Sequence, residues 1–68
     1  MSADPTAATA LEALWQVLVE TVEAANDIVV LGQQSPTGAT CATLARSCGD
    51  IATLAQATVV LARLAEPT

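Results

Sequence analysis

One cluster of helix-breaking residues, Gly32-Gln33-Gln34-Ser35-Pro36-Thr37-Gly38, divides the chain into two stretches of similar length, each with apolar residues at helical spacing. Two amphipathic helices joined by a short connection pack most simply side by side and antiparallel, which makes an all-α helical hairpin the expected fold. In the first stretch Leu11, Leu14, Trp15, Leu18, Val22, Ala25 and Val29 recur at intervals of three and four, one face of a helix. Glu12, Gln16, Glu20, Glu23 and Asp27 fall on the other side. Asp4 before Pro5 offers an N-cap followed by proline at the first helical position. In the second stretch Cys41, Leu44, Cys48, Ile51, Ala55, Thr58, Ala62 and Ala65 step the same way, with no internal proline. The spacing predicts a helix over about 6–31, a turn over 32–37 with Gly32 as C-terminal cap, and a helix over about 38–65. Residues 1–5 and 66–68 are expected to be disordered tails on a single domain, 6–65.

A hairpin of 68 residues makes a thin core, and small domains of this kind need disulfides, a metal or association to become stable. The expected core and interface residues are Leu11, Leu14, Trp15, Leu18, Val22, Leu44, Ile51, Leu54 and Leu61. Beside these stripes stand Val17, Val19, Val30, Val60 and Leu64, in a chain that is 53% hydrophobic with one aromatic residue. A helix turns only one face toward its mate, so this surplus calls for a partner: a second copy, completing a four-helix bundle by homodimerisation, or a larger protein. The second helix also carries Ala42, Ala45, Gly49 and Ala52 in a row of small residues. Gly49 costs about 1 kcal/mol relative to alanine in a helix interior, and tight packing against a neighbour is the expected compensation.

Charge narrows the partners. Seven acids against Arg46 and Arg63 give a net charge of −5, which repels nucleic acid and anionic membrane surfaces. Ala45 to Leu54 echoes the spacing of a helix-turn-helix, but the uncharged stretch after it, Ile51 to Ala62, is no recognition helix. Met1-Ser-Ala-Asp-Pro-Thr has neither the basic nor the apolar region of a signal peptide, and the glycines, glutamines and proline between Ile28 and Ala45 argue against a membrane span. The expectation is a cytoplasmic protein with reduced thiols. No nucleophile and base pair or glycine-rich phosphate loop can be read, and without histidine the acids cannot form the Glu-x-x-His sites of di-iron bundles, so no enzymatic activity is expected.

Cys41 and Cys48 stand two helical turns apart, about 10.5 Å by helix rise, too far to bond to each other. Cysteines of this kind serve as small buried hydrophobes, or, shared between chains, as thiolate ligands for Cu(I) or Zn. Over residues 41–63, Cys41, Leu44, Arg46, Cys48, Asp50, Ile51, Leu54, Ala55 and Arg63 resemble in register one helix of the cysteine-rich four-helix-bundle family that includes bacterial copper-storage proteins. The resemblance implies a bundle fold and soft-metal ligation by Cys41 and Cys48. The chain departs from that family in its first helix, which has no cysteine, and at Ala45 and Ala52, where a CxxxC pair would place its second thiol. The functional expectation is a small acidic assembly or interaction module that needs no cofactor, with soft-metal binding by several chains as the alternative.

Overall fold

A computed structural model describes residues 5–66, and within them the chain is two α-helices, α1 (Pro5–Gln34) and α2 (Gly38–Ala65), packed along their length as a hairpin. The assembly is a rod of 53 × 15 × 12 Å. Its radius of gyration is 15.7 Å, against about 11 Å for a compact domain of this length.

α1 runs three residues beyond the expected end at 31. Gly32 does not cap it, because its φ is not positive and the helix continues through Gln33 and Gln34. What stops α1 is Pro36: its ring disfavours helical backbone at the preceding Ser35, whose own N–H still reaches back to the Leu31 carbonyl at 2.8 Å. The turn thus shrinks to Ser35-Pro36-Thr37. Thr37 then caps α2, its hydroxyl accepting from the Thr40 N–H at 3.2 Å, while the Thr40 hydroxyl accepts from the Thr37 N–H at 3.0 Å. The pattern is a capping box with threonine in place of the usual acidic or amide residue. The Thr40 hydroxyl also donates to the Ser35 carbonyl at 2.9 Å, tying the turn to the first turn of α2. At the far end Glu66 takes an extended conformation before Pro67 and donates its N–H to the Ala62 carbonyl, closing α2. Of the expected tails 1–5 and 66–68, Pro5 instead opens α1 as its first helical residue and Glu66 caps α2, while residues 1–4, with the expected cap Asp4, and 67–68 lie outside the described residues.

The seam between the helices is narrower than the sequence stripes suggest. On α1 the buried or half-buried positions include Ala7, Leu11, Leu14, Leu18, Thr21, Ala25, Ile28 and Gly32; on α2 they include Thr40, Leu44, Ser47, Ile51, Leu54, Thr58, Leu61 and Ala65. Both sets alternate steps of four and three, a mean period of 3.5, which is the repeat of a coiled-coil seam. Leu18, 7% exposed, is the only large side chain among the described residues that is buried. Thr21 and Thr58 enter this seam by bonding their hydroxyls to the carbonyls of Val17 and Ala55 on their own helices.

Trp15, Val22 and Val29, counted on the core face from their spacing, stand outside this seam. Each follows a seam residue by one position (Leu14, Thr21, Ile28), which turns it about 100° around the helix. The same displacement applies on α2, where the exposed Cys41, Cys48 and Ala55 follow Thr40, Ser47 and Leu54. Nor does tight packing compensate Gly49: a methyl built there meets no atom within 4 Å.

Candidate functional site

The seam residues leave two flanks along the rod, one on each side. One carries the positions that follow the seam: Trp15, Val22 and Val29 on α1, with Cys41, Cys48 and Ala55 on α2. In an antiparallel pair these positions face the same side, and the surface relief agrees. A groove of about 390 Å³ is walled by Trp15, Leu18, Val19 and Val22 on one helix and by Ala55 and Thr58 on the other, with Glu23 at its edge. A second, of about 260 Å³, lies toward the turn between Ile28, Val29, Gly32 and Gln33 and the opposing Pro36, Thr40, Cys41 and Leu44. Both open on this flank. A step of seven residues along each helix, from Val29 to Val22 and from Cys41 to Cys48, leads from the second groove toward the first, so Val22 stands level with Cys48.

The flank is apolar in a specific way. α1 contributes bulk, with Trp15 57% exposed, Val22 50% and Val29 43%. α2 contributes small side chains, two of them free exposed thiols. The opposite flank precedes the seam by one position and carries Val17 and Leu31 on α1, with Asp50 and Leu64 on α2. It is apolar too, but interrupted by a carboxylate.

Of the residues expected at the core or interface, Leu11, Leu14, Leu18, Leu44, Ile51, Leu54 and Leu61 lie in the seam, while Trp15 and Val22 lie on the exposed flank. Ile28 in the seam and Val29, Ala55 and Val19 at the grooves complete the picture. A strict 3.5-residue repeat, laid over the sequence in place of the broader helical period, separates Trp15 from Leu14 and Val22 from Thr21. Cys41 and Cys48 share the apolar flank, and among the described residues no three histidine, cysteine or acidic side chains come together as a metal site.

The acids Glu12, Glu20, Glu23 and Asp27 are exposed along α1, and Arg46 and Asp50 are exposed one turn apart on α2. Hydroxyls on the outside of the helices turn inward to their own backbone: Thr9 to the Pro5 carbonyl, Thr43 to Ala39 and Thr53 to Gly49, all near 3.0 Å. They present methyl groups outward and add to the apolar character of the surface. By length and composition α2 is apolar enough to cross a membrane, with a mean hydropathy of 1.2 over its best window and none of that window buried.

The chain matches no family model, no curated protein and no solved structure. The reading of its function therefore rests on the surface just described.

Proposed function

We propose that this protein is a non-enzymatic assembly module whose working form is a pair of hairpins, each covering the apolar flank of the other. One observation carries this reading: the single hairpin exposes too much surface. A compact chain of 6.9 kDa exposes about 4,000 Å². The hairpin exposes 4850 Å², and the excess of about 850 Å² is what one partner contributes to an interface of standard size, roughly 800 Å². That surface is also unusually apolar. Trp15 and nine other large aliphatic side chains among the described residues are exposed, more than scattered surface hydrophobes account for.

A membrane is the weaker match for the same surplus. α2 packs along its length on α1, whose acids Glu12, Glu20, Glu23 and Asp27 would enter the bilayer with it, and α2 itself carries Arg46 and Asp50. The acidic balance further disfavours anionic headgroups and nucleic acid. A cytoplasmic location accords with this reading.

Sedimentation over a wide concentration range, with circular dichroism on the same samples, tests the proposal. A dimer that loses helicity as it dissociates is the expected result. A monodisperse monomer with full helicity at every concentration overturns it.

A second reading, soft-metal binding, is favoured by the two free thiols on the shared flank. It uses the thiols of two or more copies, since Cys41 and Cys48 of one chain stand two helical turns apart. Uptake of Cu(I) in competition with a chelator, abolished by the double substitution Cys41→Ala and Cys48→Ala, is its signature.

A further inference from the structure

Resting on the self-pairing read above, we propose that the two hairpins meet through the flank bearing Trp15, Val22, Val29, Cys41, Cys48 and Ala55, related by a two-fold axis parallel to the helices, so that α1 of each copy lies over α2 of the other. Two features carry this. The first is charge. On the opposite flank Asp50 stands between the apolar positions, and pairing there would take a carboxylate from each copy out of water. The six positions of the chosen flank, by contrast, hold no charged group, and Glu23, at the edge of its groove, is exposed.

The second feature is shape. The flank has a ridge on one helix, Trp15, Val22 and Val29, and a shallow strip on the other, Cys41, Cys48 and Ala55, level with it. A two-fold axis along the rod sets the ridge of each copy into the strip of the other, at both places at once, as the self-complementarity of a two-fold interface requires. Trp15 then meets Ala55 of the second copy, Val22 meets Cys48, and Val29 meets Cys41. A two-fold axis across the rod instead sets ridge on ridge and strip on strip. The bulky helices would hold the small ones apart, leaving a void between the two strips, and voids forfeit the contacts that close packing supplies.

With the axis along the rod, α2 of one copy stands diagonally opposite α2 of the other, and each helix has antiparallel neighbours on both sides. The cysteines of the two copies lie diagonally across such a bundle. They neither cross-link nor share a metal ion, so this geometry also separates the assembly reading from the soft-metal one.

The test uses two full-length chains. One carries Val22→Cys with Cys41→Ala and Cys48→Ala; the other carries Cys41→Ala alone and keeps Cys48. The two are mixed, allowed to exchange, and treated with diamide, while a reduced portion is sedimented. The expected result is a dimer whose cross-linked product is predominantly the mixed pair, joining position 22 of one chain to Cys48 of the other. Predominant like-with-like products mean α1 over α1 and α2 over α2, and overturn the axis. A dimer with no cross-link overturns the proposed meeting of Val22 with Cys48 of the second copy. A monomer in the reduced portion, with both chains helical, overturns the self-pairing on which the inference rests.

Discussion

Replacing Val22 by Asp separates the isolated hairpin from the pair more sharply than any truncation. In one chain Val22 is half exposed, so an aspartate there reaches water without moving a neighbour. Valine and aspartate have similar helix propensities, and the hairpin alone loses only the buried half of a valine, about 1 kcal/mol. In the pair the position faces Cys48 of the second copy, and symmetry introduces the charge twice. The effective penalty for enclosing an ion beside apolar groups is several kcal/mol; even at about 2 kcal/mol per copy the pair loses about 4 kcal/mol. Since each 1.4 kcal/mol is a factor of ten in affinity, Val22→Asp should weaken dimerisation by about 10³ or more. Gln16→Asp, on the exposed side of α1, is the control and should change affinity by less than tenfold. Sedimentation equilibrium reads the dissociation constants directly, and circular dichroism reports whether the monomer keeps its helices. A Val22→Asp dissociation constant within tenfold of the unmodified chain refutes the placement of this flank in the interface.

Further perturbations test the parts separately. The thermal midpoint of the unmodified protein should rise with concentration, because mass action is part of the stability of an obligate dimer; a midpoint constant over a hundredfold range, with helices intact at the dilute end, refutes the coupling. Leu18→Ala removes the one large side chain buried in the seam and should cost about 2 to 5 kcal/mol, whereas Glu12→Ala should cost a few tenths, both measured by urea titration. Gly49→Ala meets open space in helical backbone and should stabilise by about 0.5 to 1 kcal/mol; a loss of stability would place a close neighbour at Gly49 in the assembly. Thr37→Ala removes half of the capping box and should lower stability by about 1 kcal/mol in the same titration.

The hairpin was legible because its signals are local. Proline and glycine in one short run, and apolar residues at three and four on both sides of it, fix two helices and a turn wherever the side chains end up. The end of α1 is harder to read, because a glycine near a helix end suggests a terminator, whereas Gly32 sits in helical backbone and the steric demand comes from Pro36. The seam was legible at its leucines and blurred at its edges. Leu14 and Trp15 are adjacent in sequence and both apolar, so a stripe drawn at helical spacing accepts either; only the 3.5-residue repeat, imposed by wrapping two helices around each other, selects Leu14 and rotates Trp15 outward. Polar residues hid the rest. Thr21, Ser47 and Thr58 occupy seam positions that an apolar pattern passes over.

That distribution of side chains argues that folding and assembly are one process. The seam positions hold eight large aliphatic residues, Leu11, Leu14, Leu18, Ile28, Leu44, Ile51, Leu54 and Leu61, and otherwise alanine, glycine, serine and threonine. Outside it, ten large hydrophobic side chains are exposed, Trp15 among them. More apolar bulk thus lies outside the intrachain contact than within it. In a chain this short the intrachain contact alone leaves little margin over the entropy of ordering two long helices. Evenly scattered exposed residues would add little specificity. Here bulk on α1 and small side chains on α2 are segregated at matched levels along one side, so a second copy, alone among arbitrary partners, presents the matching relief by symmetry. In the proposed pair, the surface that makes a lone hairpin marginal is also the surface that selects its mate.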